Sequence, residues 1–145
     1  MSPKTKKKRR RHPYRDGPLV SVTVDVPEGR ENAVLSHARR LARRIPPRRD
    51  MVLHQLRRQA AALTQRYGVV GLSLFGSVAR DLATGQSDVD LLVDFAPGRP
   101  DGLFEFVELK RFLESALGRP VDLTTLAGLR PRIRDRVKKD SIRVF

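Results

Sequence analysis

Two aspartates two residues apart, Asp88 and Asp90, follow a Gly76-Ser77 pair after ten intervening residues. On an extended segment, residues i and i+2 leave the same face, so both carboxylates point one way while Val89, Leu91 and Val93 point the other. Two carboxylates held that close repel each other unless a cation lies between them. Their hard oxygens suit Mg²⁺, which takes one or two carboxylates and completes its shell with substrate phosphate oxygens. Gly76-Ser77 sits where an apolar strand meets a helix start. Glycine lets the backbone approach a phosphate, the free N–H groups of a helix start favour an anion, and the serine hydroxyl adds a donor. Each half alone is ordinary: an Asp-x-Asp on a surface strand, a Gly-Ser turn with serine as a helix cap. Together they are not. With Gly, Ser and Asp each at roughly 5–7% of residues, a chance match at this spacing is on the order of one in a thousand. The pairing therefore reads as a metal and phosphate site.

The elements around these residues must hold them in register. Asp50 is a plausible N-cap, and Leu53, Leu56, Ala60, Leu63 and Tyr67 form a helical stripe that Gly68 closes. Val69 to Phe75 reads as a short apolar strand, Ser77 to Leu82 as a helical turn, and residues 84–87 as a loop. Val89 to Phe95 is a second strand. Leu103 to Leu117 is a helix with Phe106, Leu109, Leu113 and Ala116 on one side and Gly118 as its stop, and Val121 to Thr124 is a third strand. Leu126, Leu129, Ile133 and Val137 mark a last amphipathic helix, and Ile142 with Val144 a terminal strand. Helices and strands thus alternate around a small sheet.

The 145 residues carry a formal charge of +14, which points toward phosphate-bearing partners, but the excess is uneven. Residues 1–50 hold 15 basic against 5 acidic residues, and residues 51–145 hold 15 against 11. Residues 1–17 are nearly devoid of apolar side chains and are expected to be a disordered basic tail, either merely solvated or a nucleic-acid arm. Residues 18–50 form an extension with an alternating Val20–Val26 strand pattern and a helical stripe of Val34, Ala38, Leu41 and Ile45, stopped by Pro46-Pro47. The chain has no cysteine, which excludes disulfides and cysteine-ligated metals, and no apolar run long enough to span a bilayer. A cytoplasmic location is expected.

Residues 51–145 resemble the minimal nucleotidyltransferase family, within the DNA polymerase beta-like nucleotidyltransferase superfamily. That family carries Gly-Ser-x10-Asp-x-Asp, and Gly76, Ser77, Asp88 and Asp90 match it without gaps. The segments Phe104 to Lys110 and Gly118 to Leu123 are also similar to the family. Asp81 departs from it, standing where members usually have glycine. The resemblance implies an α/β (α+β) fold, a small mixed sheet flanked by helices. It implies nucleotidyl transfer from a nucleoside triphosphate such as ATP, with two Mg²⁺ ions held by Asp88, Asp90 and a third carboxylate that falls on Asp122. Asp122 would also accept the nucleophile's proton, and Gly76 and Ser77 would grip the β- and γ-phosphates. Arg80 either supports the phosphates or forms a surface ion pair.

Family members resemble antitoxins that transfer AMP to a tyrosine of an HEPN-domain ribonuclease toxin, and a unit of about 95 residues leaves that acceptor to a partner. Two other readings stay open: a transferase acting on a nucleic acid end or small molecule, and a non-catalytic binding antitoxin. Loss of one carboxylate would speak for the latter, and all three are present. The catalytic unit is expected to begin at residue 51 and to fold without residues 1–50.

Overall fold

The computed structural model describes residue 23, residues 25–42 and residues 44–145. The basic tail over residues 1–17 and most of the Val20–Val26 run lie outside these. Of that run Thr23, Asp25 and Val26 are described, and none is in a strand. A strand exists through its ladder partner, and among the described residues this segment has none. Helix α1 (Glu31–Ala42) stops short of the expected Ile45. Its apolar stripe is uncovered, with Val34 39% and Leu41 51% exposed.

The expected single helix over residues 51–67 is two, α2 (Arg49–Arg58) and α3 (Ala60–Tyr67). The ladder tightens at Gln59, whose N–H donates to the Leu56 carbonyl at 2.9 Å, and the Leu63 N–H returns to the Gln59 carbonyl at 2.9 Å. The stripe survives the break: Leu56 and Leu63 are fully buried and Tyr67 packs against Phe112. The N-cap is Arg48 rather than Asp50, which lies in the first turn. There Asp50 accepts hydrogen bonds from the Arg48 guanidinium, chiefly responsible for holding its carboxyl below the usual range, and favours the positive end of the helix dipole.

Among the described residues four strands form one sheet in the order β3-β2-β1-β4: β1 (Val69–Phe75), β2 (Val89–Phe95), β3 (Val121–Thr124) and β4 (Ile142–Arg143). β2 runs antiparallel to β1 and parallel to β3, and β4 closes the other side of β1. The parallel pair needs a crossover, which α5 (Gly102–Leu117) supplies. Val89, Leu91 and Val93 face α2, α3 and α5 in the main core, where Leu72, Leu74, Leu109 and Leu113 are also buried. Such fully buried side chains each contribute about 1.5–3 kcal/mol by leaving water.

The opposite sheet face is only partly covered. Leu92 packs there with Leu129, Val137, Phe75 and Leu126. The last helix, α6 (Pro131–Asp140), starts later than the apolar spacing suggests. Leu126 and Leu129 reach the sheet from the turns before it, because Pro131 can open a helix but cannot continue one. Among the described residues no helix is long and apolar enough to cross a membrane.

Candidate active site

The pairing that builds the core also sets the carboxylates. In the parallel register, Val89 lies opposite Val121 and Asp90 opposite Asp122. Both valines are buried in the core, so both aspartates leave the other, open face. The Val89 N–H bonds the Pro120 carbonyl at 3.0 Å and fixes the start of this ladder. Asp88 stands immediately before β2, and its charge acts on Asp90. The loop leading to it is tied by the Ser87 hydroxyl, which accepts from the Thr84 N–H at 2.8 Å, and by the Ser87 N–H, which donates to the Thr84 carbonyl at 3.1 Å.

On the other side, the antiparallel register pairs Phe75 with Asp90, so the chain turns into the short helix α4 (Gly76–Ala79) directly beside that carboxylate. Gly76 has φ +73°, and a Cβ there would stand 2.6 Å from Cγ of Asp90 and closer still to its Oδ2. The glycine is therefore required twice, by its backbone angle and by its neighbour. The Ser77 backbone amide lies close enough to the Asp90 carboxylate to favour its charged form. Ser77 is half-buried beside that carboxylate and carries both an amide and a hydroxyl donor.

Burial pushes the Asp90 carboxyl up from its ordinary value, and the charges of Asp122 and then Asp88 push it further. The Ser77 N–H and the Arg80 guanidinium oppose this. Arg80 is exposed, and the structure brings its charge to bear on the site. A half-buried carboxylate flanked by two others is the arrangement a divalent cation would relieve. Among the described residues no three carboxylate or imidazole groups form a closed ion cage. The donor set nevertheless fits Mg²⁺, which needs only one or two carboxylates when substrate phosphates and water complete its shell.

The remaining acidic residues separate from this group. Asp94 is exposed and reaches over Gly71 toward Arg143, away from the pair. Glu105 pairs with Arg99 and accepts from the Asp101 N–H, and its side chain is only 15% exposed. His37 and His54 are both exposed. One contact has no counterpart in the motif: Arg49, at the start of α2, reaches the Ala79 carbonyl at the end of α4 and Asp81 just after it. Its only trace in the sequence is the unusual aspartate at residue 81.

Comparison with known proteins agrees with this geometry. Residues 56–144 match the nucleotidyltransferase domain family. A provisionally named protein adenylyltransferase of Methanocaldococcus jannaschii is 34% identical over 95 residues, which are 66% of this chain and all of that one. The protein adenylyltransferase MntA of Thermococcus cleftensis is 39% identical over 82 residues, 57% of this chain and 81% of that one. Among solved structures, a provisionally named minimal nucleotidyltransferase superposes with a TM-score of 0.56 at 40% identity, over 66% of this chain and 95% of that one. A toxin–antitoxin structure with AMP-PNP shares the fold, with a TM-score of 0.50 at 23% identity over 61% of this chain and 72% of that one. The sheet order, the Gly76-Ser77 turn and the matched span together make this chain a member of the nucleotidyltransferase domain family, with the fold of the minimal nucleotidyltransferases.

Proposed function

We propose that this chain transfers AMP from ATP to a tyrosine hydroxyl on a partner protein, an HEPN-domain toxin. The observation that carries the reading is the meeting of Asp88, Asp90 and Asp122 beside the Gly76-Ser77 turn, with Asp90 and Asp122 held in register across two strands. Asp88, Asp90 and Asp122 would hold Mg²⁺. When bound, Mg²⁺ supplies positive charge that stabilises the transferring phosphoryl group and the departing pyrophosphate. Gly76 and the Ser77 hydroxyl lie where the β- and γ-phosphates are gripped, and Arg80 adds charge on the same side. The tyrosine oxygen forms a bond to the α-phosphorus, the bridging bond to the β-phosphate breaks, and pyrophosphate leaves. Asp122 accepts the tyrosine proton, since it is the exposed carboxylate of the register pair.

The protein acceptor is supported by the adenylyltransferase names of the relatives, and the HEPN-domain toxin by the resemblance to minimal nucleotidyltransferases. The test is co-expression with such a partner, followed by mass spectrometry. The expected result is one AMP added to a tyrosine, absent when Asp88→Asn replaces the natural chain. An unmodified partner together with efficient labelling of RNA ends would move the acceptor to nucleic acid.

A further inference from the structure

The turn after α4 holds a second left-handed residue, Asp81 at φ +56°. A side chain in that region crowds the following carbonyl, so a non-glycine residue there needs support. Arg49 is placed to give it. One guanidinium nitrogen lies 3.1 Å from Oδ2 of Asp81, and the other donates to the Ala79 carbonyl at 3.2 Å. The fork therefore grips the chain on both sides of Arg80. Arg49 opens α2, and α2 is anchored in the core by Val52, Leu53 and Leu56. The rest of the turn is closed by its own backbone: the Asp81 N–H bonds the Val78 carbonyl at 3.1 Å and the Leu82 N–H bonds the Ser77 carbonyl at 2.9 Å. These bonds link the gripped residues to Ser77, which lies beside the Asp90 carboxylate.

We infer that Arg49 is a positioning residue for the nucleotide-binding turn. It fixes residues 79–81 against the rigid end of α2, in place of the freedom a glycine at residue 81 would provide, and so aims Arg80 and Ser77 at the triphosphate. The inference rests on the nucleotidyl-transfer reading for its purpose, but the clamp itself does not. Arg49 lies ahead of residues 56–144, the span that matches the family.

The experiment uses the full chain, Arg49→Ala, and Arg49→Ala combined with Asp81→Gly. Hydrogen exchange of the amides over residues 78–82 is measured without nucleotide, and the Kd for the Mg²⁺ complex of a non-hydrolysable ATP analogue is measured separately. Arg49→Ala should speed exchange in this turn, leave the amides of β1 and β2 protected, and weaken nucleotide binding about three- to tenfold. The added glycine should recover most of that binding, because it adopts the left-handed angle unaided. Unchanged exchange in Arg49→Ala would overturn the clamp. A binding loss that the glycine does not relieve would overturn the positioning role, since Arg49 would then touch the nucleotide itself. A natural chain that binds no nucleotide would overturn the transferase reading, while the exchange measurement would still decide the clamp.

Discussion

Gly76 and Asp81 bracket the same short turn, both with left-handed backbone, under opposite constraints. At Gly76 the space beside the backbone is filled by the Asp90 carboxylate, so any side chain there must displace it. At Asp81 a side chain is present and meets Arg49. The backbone cost of a left-handed non-glycine residue, roughly 1–2 kcal/mol, applies to both positions. What separates them is the neighbour: a crowding carboxylate at one end, a complementary guanidinium at the other. A positive φ thus demands glycine only where space does, and elsewhere it can be held by a partner.

The largest expected effect lies at the crowded end. Asp90→Asn should lower transfer by about a thousandfold or more while the fold survives, because it removes metal-site charge and no core packing. Mg²⁺ should raise the melting midpoint of the natural chain and leave this variant unmoved. Full Mg²⁺-dependent transfer by Asp90→Asn would falsify the site. Gly76→Ala comes next, with a loss of about 2–4 kcal/mol in denaturant unfolding and at least about a hundredfold in transfer, since the new methyl must push Asp90 aside. A stable, active Gly76→Ala protein would mean that the turn relaxes freely and the comparison fails.

Asp122→Asn should cost about ten- to a hundredfold in transfer. It should also bring the Asp90 carboxyl down toward its ordinary value in an NMR titration, because the largest neighbouring charge is gone. An unmoved Asp90 titration would separate the two strands' carboxylates electrostatically.

A smaller effect concerns pH. The folded Asp90 binds its proton more tightly than the unfolded chain does, so its contribution is fully present below the ordinary carboxylate range and is lost as pH rises through the raised folded value. In metal-free protein, the stability of the natural chain relative to Asp90→Asn should therefore fall across that window, and Asp90→Asn should be the more stable at neutral pH. A difference independent of pH would contradict the burial and the charge crowding together. The smallest effect is at the Arg49 end. A chain begun at residue 51 keeps the α2 stripe and should fold, yet transfer about threefold less well than one begun at residue 47, which retains the fork. Equal rates would remove Arg49 from the comparison.

Much of this was legible in the order of residues. Alternation along Val89–Phe95 separates the apolar face from Asp88 and Asp90 because a strand has a period of two, whatever surrounds it. Gly68 and Gly118 end their helices where the apolar stripes end, and all four strands lie where the short apolar runs predict them. Local periodicity failed where a local signal competed with packing: at Gln59 the helix breaks though the stripe continues, and Leu126 and Leu129 are core residues without being helical.

What the sequence determined by itself was the set of chemical groups and the faces they leave, because side-chain direction follows from backbone period. Only the tertiary structure decided their partners. Asp122 meets Asp90 through a parallel ladder that a whole helix must bridge, and the Gly76-Ser77 turn lies beside Asp90 because β1 ends at that register. Arg49 and Asp81 are 32 positions apart, and no periodicity relates them. Such pairings depend on how elements dock, and docking is a property of the assembled core rather than of any local run of residues.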